Sequence, residues 1–212
     1  MLLGTSGPVD VREACPVLAG WDLRDELDAR GAILFRRFAE RVLGGGTPVG
    51  GPSPYDEPFD ANDPVNTPRG LNTESPAVRT ALADAVSDLR SAGIPLDAPL
   101  RDHQYELRGS ERIPIHGGPG GVGVFNAINV EWAPPKGYGN VPHGSSFVMA
   151  TQFTGGACPV EMRTFVSYGD SENPASPHNS DYTRAFSRKD WNEVPFCEDE
   201  ILSAPGLEVT RV

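Results

Sequence analysis

The chain has 212 residues and a mass of 22.7 kDa, enough to form one domain with a buried hydrophobic core. Its 18 lysines and arginines stand against 29 aspartates and glutamates, a net charge of −11 with no basic cluster, which disfavours a nucleic-acid or anionic-membrane partner. No apolar run approaches the length of a membrane span and no secretory signal is visible, so we expect neither a membrane segment nor a targeting address.

The first 95 residues are predicted to be mainly helical. Apolar residues at helical spacing predict a first helix over Asp22–Val42, which Gly44-Gly45-Gly46 ends. Residues 44–70 are rich in glycine and proline, so we expect a long surface excursion there rather than a helix or a central strand.

A second helix is predicted by a complete set of local signals. Ser75 is a suitable N-cap and Pro76 a suitable first residue, apolar side chains at 78, 82, 85 and 89 share one face, and Gly93 ends the helix before Pro95.

From residue 101 to 169 the apolar period changes from helical to alternating, which predicts strands. The candidate strands are His103–Leu107, Gly123–Glu131, Ser145–Phe153 and Val160–Tyr168, with the last two joined as a hairpin at Thr154-Gly155-Gly156. Residues 170–212 are predicted to hold turns, a short helix capped by Asn179 or Ser180, and a final helical turn around Glu198–Leu202. The expected fold class is α+β.

The residues that could carry chemistry form no convincing site. The four histidines lack metal-site spacing, so we assign no metal or cofactor and interpret each as structural: His103, His116, His143 and His178. Ser176, His178 and Asp181 supply the residue types of a catalytic triad, but residues this close in sequence on a turn rarely present triad geometry.

The run Ile115–Gly123 is rich in glycine but lacks the Gly-Lys-Ser/Thr ending of a phosphate loop and opens no helix. We interpret it as a loop whose glycines permit positive φ. The three cysteines, Cys15, Cys158 and Cys197, lack zinc spacing, and they allow either one disulfide with one free thiol or three free thiols.

Segments in a fixed order carry a resemblance that spans nearly the whole chain. They are Val9–Phe35, Ile113–Gly118, Gly123–Asn126, His143–Val148, Val166–His178 with Asp181, Phe186 and Trp191, and Pro195–Ile201. This order resembles the C-terminal end of the penicillin acylase family, most closely the branch of aculeacin A acylase and the acyl-homoserine lactone acylases.

The resemblance implies a partial segment of the αββα fold of N-terminal nucleophile hydrolases. In that family a serine freed by self-cleavage attacks the amide, its own α-amine acts as base, and a backbone N–H with an asparagine binds the oxyanion. The nucleophile, that asparagine and the calcium-binding acids of the family lie upstream of the matching part. We therefore assign no catalytic, cofactor-binding or metal residue here, and we reject Gly109-Ser110 and Gly144-Ser145 as cut sites.

The implied function is that of a C-terminal segment of an amidohydrolase that cleaves the acyl amide of lipopeptide antibiotics, β-lactams or acyl-homoserine lactones. Its expected partner is the upstream acylase segment, the α chain and the first part of the β chain, and the chain alone is predicted to be inactive. The alternative is a free-standing binding or structural module, or an inactive gene remnant.

Two further expectations depend on the resemblance. The family is usually exported, and if export applies, the expected disulfide joins Cys15 and Cys197, with Cys158 free at the hairpin tip beside Gly155-Gly156. The strands are implied to belong to sheets completed by earlier parts of the β chain, and Ser145–Phe153 is apolar on both faces. We therefore predict that the isolated chain is oligomeric, aggregation-prone or dye-binding.

Overall fold

The computed structural model describes residues 1–43 and 53–210. Its N-terminal part begins with a small hairpin. Strand β1 (Leu2–Gly4) pairs antiparallel with β2 (Gly7–Val9), and neither strand was predicted. Two helices follow, α1 (Ala14–Gly20) and α2 (Ala32–Leu43). The hairpin is held by Asp84, whose carboxylate accepts hydrogen bonds from the amide and the hydroxyl of Thr5.

The predicted helix over Asp22–Val42 is wrong in its first half, because residues 21–31 are irregular apart from one turn and α2 begins only at Ala32. The carbonyls of Leu27 and Ala29 accept hydrogen bonds from the amides of Arg101 and Leu100 instead of from a helical turn of their own. The predicted stop at 44–46 lies outside the described residues.

The described part of the glycine- and proline-rich excursion forms a two-stranded ribbon, β3 (Tyr55–Glu57) with β4 (Arg69–Leu71). The second predicted helix is confirmed as α3 (Pro76–Ser91), with Ser75 at the N-cap position and Gly93 at φ +68° beyond its end. Helices α2 and α3 pack together, and Arg37 and Arg41 of α2 both contact the Asp88 carboxylate of α3 at 2.7 Å.

Residue 105 opens the strand-rich part of the chain. Hairpin β5 (Tyr105–Arg108) with β6 (Glu111–Pro114) comes first, so the strand predicted over His103–Leu107 is displaced and β6 was missed. Of the strand predicted over Gly123–Glu131 only β7 (Ile128–Asn129) exists, paired with β8 (His143–Gly144). The remainder of that prediction is wrong, because Gly123 adopts φ +88° after a 3₁₀ turn.

The predicted hairpin is confirmed as β9 (Phe147–Phe153) and β10 (Val160–Val166), which pair antiparallel along their whole length. A short strand that was not predicted, β11 (Asn192–Val194), pairs with the other side of β10, so β9 forms one edge of this sheet. The last helices, α4 (Asp181–Arg188) and α5 (Glu198–Ser203), confirm the two short helices predicted there.

One main hydrophobic core joins the helical and the strand-rich parts. Its buried members come from the helices α1 to α4, the loops and the strands, and include Ile33, Leu34, Val86, Leu89, Leu100, Ile113, Ile115, Ile128, Phe165 and Phe186. The α+β class is thereby confirmed, and the five sheets of the described residues are all antiparallel with two or three strands each. None of the helices in the described ranges is long and apolar enough to cross a membrane.

Candidate functional site

The four histidines have separate structural surroundings. His116 is buried, and burial lowers its pKa. Its Nε2 donates to the carbonyl of Phe186 at 2.8 Å. Burial also lowers the pKa of His103, which follows the short 3₁₀ helix Leu100–Asp102. His143 is exposed and lies 3.3 Å from the amide of Asn129.

The three triad-type residues near position 180 lie together but do not form a triad. His178 Nδ1 lies 2.8 Å from the carboxylate of Asp181, and this hydrogen bond lowers the Asp181 pKa. The hydroxyl of Ser176 accepts a hydrogen bond from the backbone amide of His178, as an N-cap does. Since a triad serine would instead bond the second ring nitrogen, this arrangement orders a turn and activates no nucleophile.

The two Gly-Ser pairs also have structural roles. Gly109-Ser110 forms the tip of the β5–β6 hairpin, with Gly109 at φ +61°. The Ser145 amide donates to the carbonyl of Ala127, and the Ser145 carbonyl accepts from the hydroxyl of Ser167. In this structure the Ser145 amide therefore serves as part of a packed sheet connection.

The glycine-rich loop turns its amides toward protein carbonyls rather than toward an open cradle. Gly117 donates to the carbonyl of Asp25 at 2.9 Å, and Gly118 donates to the carbonyl of Asn126 at 3.2 Å. Amides with protein partners are not free to bind a phosphate.

A buried polar pair that sequence reasoning missed holds this loop in place. The side-chain amide of Gln104 is fully buried and donates to the carbonyls of Ile115 and Gly117, at 2.7 and 2.8 Å. Arg36, 1% exposed, donates weakly to the same Gly117 carbonyl, and burial lowers its pKa. No motif or spacing marks either residue, since each depends on a partner more than ten positions away.

The disulfide differs from the expected one. Cys158 is bonded to Cys197, whereas Cys15 on α1 is a free, exposed thiol, so the expectation of a Cys15–Cys197 bond is wrong. The reason is the register of β11. Because Met162 pairs with Val194 in an antiparallel ladder, the chain that leaves β11 runs back past the start of β10 and brings Cys197 to Cys158.

A third group completes a small cluster at this disulfide. A Glu200 carboxylate oxygen and the two sulfurs all lie within 4.8 Å of one another, and in the described residues this is the one group of three or more potential metal ligands. Glu200 Oε2 accepts hydrogen bonds from the amides of Phe196 and Cys197, which fixes the carboxylate at the start of α5.

Strand β9 presents an apolar surface that is open to solvent. Phe147, Met149 and Phe153 share one face and are 57%, 52% and 80% exposed. The strand carries no charge and no proline, and its outer edge pairs with no strand of the described chain. Uncharged, unpaired edges of this kind favour association with another strand.

Comparisons with known proteins agree on one family. The family profile described as penicillin amidase matches residues 2–203. Aculeacin-A acylase of Actinoplanes utahensis is 41% identical over 205 residues, which is 96% of this chain and 24% of that protein. The acyl-homoserine lactone acylase PvdQ of Pseudomonas syringae pv. syringae is 35% identical over 92% of this chain and 24% of its own length, and its counterpart from Pseudomonas fluorescens is 31% identical over 95% and 25%. The chain thus spans about a quarter of the length of these relatives.

Proposed function

Because the chain belongs to the penicillin amidase family, we propose that it is the C-terminal segment of an acylase-like amidohydrolase whose catalytic groups lie on the upstream part of the protein. The observation that carries this proposal is the match of 96% of the chain to only 24% of an acylase. Such coverage is expected of a segment that forms about a quarter of a larger enzyme.

The side chains of the segment support a structural rather than a chemical contribution. His116, Gln104 and Arg36 are buried against backbone carbonyls, and the half-buried Ser176 caps a turn. None of these groups is arranged as a nucleophile with its base. We infer that the amide bond is attacked by a serine of the upstream segment, as the family resemblance implies.

The surface of β9 supports a place for the upstream segment. The unpaired edge of β9 would be covered if a strand of the rest of the acylase paired beside Phe147–Phe153, and the three large apolar side chains would be covered if another layer of the acylase packed on their face. The chain would then be one part of the αββα arrangement, since its own sheets have no more than three strands. We infer that the rest of the acylase covers this surface of β9, because the relatives are about four times as long as the part that this chain matches.

The substrate class follows from the relatives only as a proposal. One is named for aculeacin A and others for acyl-homoserine lactones, so we infer an amide between an acyl chain and a polar amine. Lipopeptide antibiotics, β-lactams and acyl-homoserine lactones all contain that bond.

A chimera tests the proposal. Residues 2–203 of this chain would replace the matching quarter of aculeacin-A acylase, and hydrolysis of a chromogenic nitrophenyl-acyl anilide would be measured beside a version from which that quarter is deleted. We expect the chimera to process itself and to hydrolyse the amide, and the deletion to do neither. A soluble chimera as inactive as the deletion would contradict the proposal and favour a free-standing module.

A further inference from the structure

The C-terminal segment, residues 195–210, is attached to the body of the protein in an unusual way. Within the described residues, no hydrogen bond or salt bridge joins it to any residue before 195. Every residue of α5 is exposed, and a groove of about 710 Å³ runs between this segment and strands β10 and β11. Apart from the chain itself, the Cys158–Cys197 bond is the link that holds α5 beside the sheet.

Three potential metal ligands from two parts of the chain lie together at this disulfide. Cys158 follows the tip of the β9–β10 hairpin, whereas Cys197 and Glu200 are three residues apart at the N-terminal end of α5 and therefore share a face. Glu200 Oε2 is held by two backbone amides, and Oε1 accepts no hydrogen bond from the described residues. The carboxylate is thus held in position with one oxygen available.

We propose that, when the disulfide is reduced, Cys158, Cys197 and Glu200 form a binding site for a thiophilic divalent cation such as Zn²⁺. A dithiol supplies two electrons and two protons, becomes a cyclic disulfide, and leaves two cysteine thiols. The cation then displaces one proton from each thiol, and two metal–sulfur bonds form. Thiolate ligands select zinc over calcium or magnesium, which prefer oxygen.

The geometry suits such an ion. The Cα atoms of the two cysteines are 5.8 Å apart. Two thiolates on one tetrahedral zinc lie about 3.8 Å apart, given zinc–sulfur bonds of about 2.3 Å, so rotation of the cysteine side chains suffices to admit the ion. Glu200 also lines the groove, which leaves room for a water molecule as the fourth ligand.

The site would keep α5 in place in both redox states. Under oxidising conditions the covalent bond joins the hairpin to α5, and under reducing conditions the ion joins the same two cysteines. Without either, residues 195–210 would lose their only cross-link within the described chain.

Alkylation of the reduced chain tests the proposal with an internal control. The 212-residue protein would be reduced, freed of reductant under argon, and treated with a maleimide with and without Zn²⁺, and each cysteine would be assigned by peptide mass mapping. We expect Zn²⁺ to slow the labelling of Cys158 and Cys197 at least about tenfold, since metal ligation removes the free thiolate, and to leave the exposed Cys15 unprotected. Equal labelling of all three with and without zinc would overturn the proposal.

Two variants and one spectroscopic measurement distinguish this three-ligand site from binding of the ion by the two thiols alone. Glu200→Gln keeps an oxygen that can cap α5 but removes the charged ligand, and Glu208→Gln removes an exposed acid of the same segment as the control. We expect Glu200→Gln to raise the Zn²⁺ concentration for half-protection about tenfold or more, and Glu208→Gln to leave it unchanged. Bound Co²⁺ should show a thiolate charge-transfer band at one ion per chain. Equal protection in both variants, or no such band, would contradict a three-ligand site.

Discussion

His116 stacks on Phe186 with their ring centroids 4.6 Å apart, and its Nε2 also donates to the Phe186 carbonyl at 2.8 Å. The amide of Asn126 lies 3.1 Å from Nδ1, so the neutral ring with its proton on Nε2 satisfies both hydrogen bonds. The loop that follows β6 is thereby attached to the end of α4 through a ring that must stay uncharged.

This attachment predicts a pH dependence of stability. Burial lowers the pKa of His116 in the folded state, so protonation favours the unfolded chain. The stabilisation is fully present above the unfolded pKa of about 6.5 and is lost as the pH falls toward the folded pKa, by up to about 1.4 kcal/mol per pH unit. We expect His116→Gln to flatten the slope of the free energy of unfolding between pH of about 7 and 5. Denaturant titrations that give the same slope for both proteins would contradict this.

A pair of glycine substitutions tests the packing of the turn before α4. A Cβ on Gly169 would clash with the carbonyl oxygen of His178, a backbone atom that cannot rotate away. A Cβ on Gly121 would meet nothing within 4 Å. We expect Gly169→Ala to lower the free energy of unfolding by about 1–3 kcal/mol and Gly121→Ala to change it by less than about 0.5. Urea unfolding measures both, and equal effects would show that the turn is not packed as described.

The disulfide predicts a specific effect of reduction in the absence of metal. In the chain-entropy account, a bond that closes a separation of 39 residues stabilises the folded state by about 4 kcal/mol. When a chelator is present, we expect residues 195–210 to become the first site of proteolysis after reduction with dithiothreitol or in the variant Cys158→Ser. Cys15→Ser serves as the control and is expected to leave the oxidised protein resistant. Cleavage elsewhere first would show that other contacts hold α5.

The apolar face of β9 predicts self-association of the isolated chain. Met149→Lys places a charge in the middle of the exposed strand, and Val65→Lys places the same charge on an exposed loop residue elsewhere. We expect light scattering and hydrophobic-dye binding to fall in Met149→Lys and to remain in Val65→Lys. A monodisperse wild-type monomer that binds no dye would contradict the prediction and favour the free-standing module.

The isolated chain is also expected to be inactive. Within residues 1–43 and 53–210, the hydroxyl groups of Ser145 and Ser176 have no hydrogen bond to a side chain that could act as a base, so we expect no hydrolysis of a nitrophenyl-acyl anilide or an acyl-homoserine lactone. Activity that survives purification to homogeneity and disappears in Ser145→Ala or Ser176→Ala would show that a catalytic group was overlooked.

The sequence was sufficient where the structure depends on neighbouring residues. Helix α3 could be predicted because its N-cap, its first-turn proline and its terminal glycine lie within one continuous segment. The β9–β10 hairpin could be predicted for the same reason, since alternation and two glycines specify it locally.

The sequence was insufficient where distant segments decide the outcome. The region 22–31 has a helical pattern, but its carbonyls pair with amides some 70 residues further along the chain. The disulfide was wrongly expected because β11, which brings Cys197 to Cys158, has only three residues and no recognisable pattern. Arg36 and Gln104 likewise acquire their roles only through tertiary contacts.

Gln104 has a consequence for how the chain can change its length. Its side-chain amide donates to the carbonyls of both Ile115 and Gly117. Those two carbonyls lie within reach of a single nitrogen only while one residue separates them. An insertion or deletion between 115 and 117 would therefore break at least one of the two buried hydrogen bonds that Gln104 donates, even if every glycine were kept. The fold thus constrains the spacing of this loop as strictly as its composition.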